Sequence, residues 1–179
     1  MVEIRTLNKL LLKKYLNFLT NIDQFTILKY GDLFSSERWN KKNFMIDLPG
    51  KWELSCLALE KNQPIGFCIC SFFNTNKCYV YRFVVSGESR EKNVGKEMTN
   101  FILKKCIEKG IDKVLLEVNK KNRSALKFYE KLKFKIIKKA DLMKYLHSKG
   151  KFNNCIISGN HFVENGYPEK KYVLERNLS

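Results

Sequence analysis

Read along the chain, apolar positions fall into short runs with strand spacing, separated by longer stretches with helical spacing. Val2–Leu7 predicts an edge strand. Lys9–Leu19 carries Leu11, Leu12, Tyr15, Leu16, Phe18 and Leu19, which predicts a helix. Ser35-Ser36-Glu37-Arg38-Trp39 has the residue types that open a second helix, and Pro49-Gly50 predicts the turn that closes it. Trp52–Leu59 and Ile65–Phe73 read as strands joined by the polar hairpin-type stretch 60–64. Asn74–Lys77 turns the chain into Cys78–Val85, a third aromatic and β-branched run.

The second half alternates in the same way. Val94, Met98, Phe101, Ile102 and Cys106 lie on one helical face, and Gly110 is the expected stop. Ile111–Val118 predicts a strand. Asn119–Leu132 predicts a short helix burying Ala125, Phe128, Tyr129 and Leu132. Tyr172–Leu178 reads as a terminal strand. The stretch 140–170 is the least defined: a helical segment at Asp141–His147, then the Asn- and Gly-containing Asn153–Pro168. A connection this long inside a compact domain is uncommon and often functional. There are no internal repeats and no linker, so residues 1–179 are expected to form a single domain.

At 179 residues and 44% hydrophobic content the chain can bury a proper core. No apolar run approaches the roughly eighteen residues needed to span a bilayer, and Met1–Arg5 shows no signal-peptide core. Cys56, Cys68, Cys70, Cys78, Cys106 and Cys155 contain no Cys-x-x-Cys pair and mostly sit in apolar patterns. They are expected as reduced core residues of a cytoplasmic protein. His147 and His161 lack zinc-ligand spacing, so no metal is expected.

The formal charge of +16 raises the question of nucleic acid. Of the 34 basic residues 28 are lysine, and asparagine is also abundant, a bias that compositional drift produces without any binding role. One cluster is dense: Lys120, Lys121, Arg123, Lys127, Lys131, Lys133, Lys135, Lys138 and Lys139 face the single acid Glu130. It predicts a solvated basic face or a field that draws in a polyanion, not specific nucleic-acid binding.

Candidate chemistry centres on Arg90-Glu91-Lys92-Asn93-Val94-Gly95-Lys96, a loop between a strand end and a helix start. Such a helix end offers unpaired N–H groups and the positive end of the helix dipole to a phosphate. Gly95 admits close approach to the backbone, Asn93 tolerates positive φ, and Arg90, Lys92 and Lys96 add charge.

Here the sequence resembles the GNAT superfamily of acetyl-CoA-dependent N-acetyltransferases. The family loop, Gln/Arg-x-x-Gly-x-Gly/Ala, is matched by Arg90-x-x-Asn93-x-Gly95 except at its first glycine. Its second signature appears as Leu116-Glu117-Val118, Asn122, Ala125, Tyr129 and Phe134, with Lys133 where a glycine is usual. Two ordered motifs at compatible spacing are far more specific than either alone. The match is closest, by a short motif, to the ribosomal-protein N-terminal acetyltransferase branch.

The resemblance implies an α+β fold: a mixed, mostly antiparallel sheet of about seven strands, splayed between strands 4 and 5 and flanked by helices. It makes the segment before the last strand look like an insertion. It also implies acetyl-CoA as co-substrate, held by Phe83, Val84 and Val85, by Arg90, Glu91, Lys92, Asn93, Val94, Gly95 and Lys96, and by Asn122 and Tyr129. Tyr129 would be the acid for the departing thiolate and Glu117 the base for the acceptor amine. The acceptor would be a protein N-terminus, a lysine or a small amine, acetylated by direct attack in a ternary complex by a monomer or homodimer. The alternative is a catalytically silent acyl-CoA sensor, or a basic RNA- or ribosome-associated module, on the same fold.

Overall fold

The structure is a computed structural model that describes residues 1–30, 39–74, 76–89, 92–164 and 170–178. Strand β1 (Val2–Thr6) leads into helix α1 (Lys9–Tyr30), followed by the short helices α2 (Lys41–Met45) and α3 (Lys51–Leu54). Strands β2 (Cys56–Glu60), β3 (Gln63–Phe72) and β4 (Lys77–Val85) precede α4 (Val94–Glu108), β5 (Lys113–Asn119), α5 (Arg123–Lys131) and β6 (Lys135–Ile136). The chain ends with α6 (Lys139–Ser148), β7 (Cys155–Ser158), β8 (His161–Glu164) and β9 (Lys170–Asn177).

The nine strands form one sheet in the order β1-β2-β3-β4-β5-β9-β8-β7, with β6 on β9. Every pairing is antiparallel except β4 with β5. The sheet exceeds the expected seven strands because the segment before the last strand folds into α6 and the β7–β8 hairpin. That hairpin docks on β9. Its turn runs through Gly159 at φ 61°.

Strand alternation separates the two faces. On one, Cys68, Cys70, Val80, Val114, Leu116 and Val118 pack beneath α4 and α5 with Met98, Ile102, Cys106 and Tyr129. On the other, Phe67, Ile69 and Val84 pack under α1 and α2 with Leu12, Leu19 and Phe44. Farther along that second face, Tyr79, Leu115, Phe162 and Val173 pack under α6 with Leu142, Tyr145 and Leu146. Each large apolar side chain so buried contributes about 1.5–3 kcal/mol. Five of the six cysteines are buried and Cys155 is half-buried, all as free thiols.

Local sequence explains several boundaries. Asn8 caps α1 by accepting from the Leu11 N–H at 2.8 Å. Lys61 and Asn62 both adopt positive φ in the two-residue β2–β3 turn, the geometry that matches strand twist. Helix α4 ends as a Schellman motif: Gly110 has φ 67°, and the Ile111 N–H bonds the Cys106 carbonyl at 2.9 Å. Lys133 plays the same part after α5 at φ 64°, with the Phe134 N–H on the Tyr129 carbonyl at 3.0 Å.

Three expectations shift. Trp52 and Leu54 lie in α3, because Gly50 and the turn before it start a helical turn, and the strand begins only at Cys56. The first helix runs on past Leu19 to Tyr30, since Asp23 and Ile27 continue its buried face. Residues 35–38 of the expected second helix lie outside the described residues. The helix that is described there, α2, is opened by Asn40 in a capping box with Asn43.

Candidate active site

Strands β4 and β5 pair only over Lys77–Val80 against Lys113–Leu116. Beyond that point β4 stays with β3 as far as Val85, and β5 stays with β9 through Asn119. The two therefore part, and between them opens a cleft of about 870 Å³. A bulge leaves Tyr81 without a partner on β3, just where the divergence begins. From Tyr81 to Val85 the β5-facing edge of β4 has no strand partner among the described residues. Its N–H and C=O groups can thus pair with an extended, amide-bearing ligand.

The start of α4 opens on the same cleft, which Asn93, Gly95 and Lys96 help to line. Asn93 holds the turn at φ 60° and places no side-chain cap on the helix. The first intrahelical bond runs from the Glu97 N–H to the Asn93 carbonyl at 3.1 Å. The N–H groups of Val94, Gly95 and Lys96 thus have no helical partner, and they present the positive end of the helix dipole. A Cβ on Gly95 would lie 3.2 Å from the Phe128 ring. A side chain here would press on Phe128 of α5 as well as hinder an approach to the backbone.

The other predicted contact residues divide. Phe83, Val84, Val85, Asn122 and Tyr129 line the cleft. Val94, the first residue of α4, is fully buried, and Lys92 is drawn to Glu60 at 3.0 Å; neither lines the cleft. Arg90 and Glu91 lie outside the described residues. Asn122 caps α5: its Oδ1 accepts from the Ala125 N–H at 3.0 Å, leaving its amide N–H groups as donors.

Tyr129 is buried among Phe83, Phe128 and Phe134. Burial, with the nearby Cys68 and Cys70, pushes its hydroxyl well above the ordinary phenol range. No described protein group hydrogen-bonds that hydroxyl, so it holds its proton and can offer it to a ligand.

Glu117 lies on the opposite face, under α6. The Tyr145 hydroxyl donates to its Oε1 at 2.6 Å, and Lys151 and Lys171 each approach a carboxylate oxygen to 3.8 Å. Glu164 pairs with Lys151 at 2.9 Å, so the two acids share these lysines. Tyr79 lies against Tyr81 and Tyr145 in the same wall. Burial, then the charge of Glu117, pushes the Tyr79 hydroxyl up and keeps it protonated.

Lys149, the C-cap of α6 one turn after Tyr145, lines the cleft too. Its Nζ stands 3.4 Å from the centre of the Tyr79 ring, 4.7 Å from that of Tyr81 and 4.9 Å from that of Phe73. Burial brings its pKa down to about 8, with Glu117 opposing the shift and Lys151 adding to it. Behind this wall Arg82 forms a bidentate, buried pair with Asp23 at 2.5 and 2.9 Å, which ties α1 to β4.

Tyr145, Lys149, Lys151, Glu164 and Lys171 all escaped the sequence reading. Of these only Tyr145 lay on a predicted helix, Asp141–His147, and Lys149 falls two residues past its end. Nothing in the sequence pairs that helix with Glu117. Among the described residues no cluster of His, Cys, Asp and Glu could hold a metal, and no helix is long and apolar enough to cross a membrane.

The profile of the Acetyltransferase (GNAT) family matches residues 21–134, well over half of the sequence. The chain belongs to the GNAT acetyltransferase family. No curated protein sequence matches it significantly, but solved structures do. Ard1 from Thermoplasma volcanium has a TM-score of 0.72 at 20% identity, over 99% of this chain and 98% of its own. The ribosomal-protein-S18-alanine N-acetyltransferase from Escherichia coli has 0.69 at 16%, over 100% and 95%. Arabidopsis thaliana Naa50, solved with the bisubstrate analogue CoA-Ac-MVNAL, has 0.65 at 20%, over 98% of each chain. At these identities the likeness shows the fold. The chain is thus an acyltransferase of the GNAT family, with the sheet splayed between its fourth and fifth strands.

Proposed function

We propose that the protein transfers an acetyl group from acetyl-CoA to a primary amine by direct attack in a ternary complex, with a polypeptide N-terminus as the preferred acceptor. One observation carries this: the β4–β5 parting and the uncapped N-terminus of α4 open on a single cleft that reaches both faces of the sheet. A chain of pyrophosphate and extended amides fits that combination of donors. The N–H groups of Val94–Lys96 would take the pyrophosphate, and the free edge of Tyr81–Val85 would take the amides. Lys96 and Lys131 add charge at the mouth.

Bound acetyl-CoA supplies the thioester carbonyl and leaves as a thiol. On the α5 face, Tyr129 keeps its proton and donates a hydrogen bond where thiolate charge develops. Because burial makes this phenol a weaker acid, donation of the hydrogen bond comes first and proton delivery follows. On the α6 face, Glu117 accepts the proton of the incoming ammonium, directly or through water, and Tyr145 fixes its orientation. Among the described residues no cysteine lines the cleft, and burial pushes the nearby Cys68 thiol up to about 11. That favours direct attack over an acyl-cysteine. The polypeptide acceptor is supported by the fold likeness to Naa50, solved with a peptide-bearing analogue, and to the S18-alanine N-acetyltransferase.

A calorimetric titration with acetyl-CoA tests the cofactor half of this reading. Gly95→Val, which forces a branched side chain against Phe128, should weaken binding about tenfold or more. Unchanged affinity in a folded variant contradicts it.

A further inference from the structure

Lys149 stands apart from the other cations of the cleft. Lys151 and Lys171 each approach Glu117 and Glu164, which hold them as ammonium partners. Lys96 and Lys131 belong to α4 and α5. Lys149 Nζ has the rings of Tyr79 and Tyr81 on β4 and of Phe73 just after β3 as its neighbours and, among the described residues, no carboxylate within ion-pair distance. It reaches them from the C-cap of α6, where its backbone N–H bonds the Tyr145 carbonyl at 3.0 Å and Gly150 then turns the chain at φ 67°. Tyr79 precedes the last β4–β5 pair, Val80 with Leu116, and Tyr81 follows it. The amine is therefore held at the crotch of the split, on the same face as Glu117. That is where an acceptor amine must come.

We propose that Lys149 is itself an acetyl acceptor, so that the protein modifies its own cleft when no other amine is bound. The inference rests on the acetyl-CoA reading above. In its neutral form, Nζ attacks the thioester carbonyl carbon. The N–C bond forms, the C–S bond breaks, and the thiolate takes a proton from Tyr129 or water. The proton lost by Nζ passes to Glu117 or water. The products are Nε-acetyl-Lys149 and free CoA thiol, and no other reactant is needed. Burial among Phe73, Tyr79 and Tyr81 supports the step, because it raises the fraction of free amine near neutral pH. The product also lacks a cation that an incoming ammonium would otherwise meet.

The chain carries 28 lysines, so the exposed ones serve as internal controls. The folded protein is incubated with isotope-labelled acetyl-CoA and no acceptor, then mapped by peptide mass spectrometry. Label at Lys149 should exceed that at exposed lysines such as Lys13 and Lys144 by about tenfold or more, as a held amine requires. Its rate should not depend on protein concentration. It should rise with pH and level off near 8, whereas an ordinary lysine keeps gaining up to about 10.4. The groups facing Nζ from neighbouring elements are Tyr79 and Tyr81 on β4, Glu117 on β5, Tyr145 on α6, and Lys151. Of these, Tyr79 and Tyr145 are pushed up by burial. Lys149→Arg should lose the site-specific label.

Label spread evenly over exposed lysines, or persisting equally after denaturation, overturns the inference, as does a rate that scales with protein concentration. A parallel calorimetric titration separates the two levels. Acetyl-CoA binding without label at Lys149 overturns this inference alone. Absence of binding overturns the acetyl-CoA reading with it.

Discussion

Tyr145 on α6 donates a 2.6 Å hydrogen bond to Glu117 on β5, across 28 positions of sequence. The bond fixes one carboxylate oxygen at the point where β4 and β5 part. It also ties the segment before the last strand to the candidate base. Tyr145→Phe keeps the ring packed against Tyr79 and Phe73 but removes this donor. The variant should bind acetyl-CoA as the parent does while kcat falls, because the carboxylate loses the donor that holds it in place. Glu117→Gln should lower kcat further. A kcat unchanged in both variants would remove Glu117 from proton transfer.

Tyr129→Phe probes the opposite face. With no described protein partner for the hydroxyl, its removal should leave folding stability nearly unchanged. The loss of a donor at the sulfur should lower kcat about ten- to a thousandfold with little change in acetyl-CoA affinity. Steady-state kinetics beside a calorimetric titration checks both. Full kcat in the variant would assign protonation of the sulfur to water or substrate.

The sequence made one face of this site legible and left the other dark. The α4 and α5 face is built from residues close in sequence, with a strand, a loop and a helix start in order, so Asn93 and Gly95 could be read from the loop itself and Asn122 and Tyr129 from the family resemblance. Glu117 was visible through the family resemblance and as the only ionisable residue of Val114–Val118. Its partners were not. Tyr145, Lys149, Lys151, Glu164 and Lys171 come from α6, the turn that follows it, β8 and β9, and tertiary packing alone brings them to β5. The extra strands were missed for a related reason: β7 and β8 are four residues each, with adjacent apolar residues rather than an alternation. Such short runs show little periodicity. Gly95 was read for ligand approach, while its contact with Phe128 needs the position of α5.

Lys133 offers a test of local conformation independent of function. It adopts φ 64° at an exposed position after α5, where a side chain is disfavoured by about 1–2 kcal/mol. Lys133→Gly should therefore stabilise the protein by about 1 kcal/mol, read as a higher midpoint in denaturant unfolding. A lower midpoint would mean that the lysine side chain contributes more than the strain costs.

The central claim is that the cleft between β4 and β5 joins acetyl-CoA to an amine. Thiol release from acetyl-CoA measures this directly when screened over N-terminal peptides, lysine peptides and small amines, with the acetylated product identified by mass spectrometry. The account predicts acceptor-dependent release, with the acetyl group on the α-amine of at least one peptide and the signal greatly reduced in Glu117→Gln. Acetyl-CoA binding with no acceptor-dependent release across the panel would contradict it and make the protein a silent sensor on this fold.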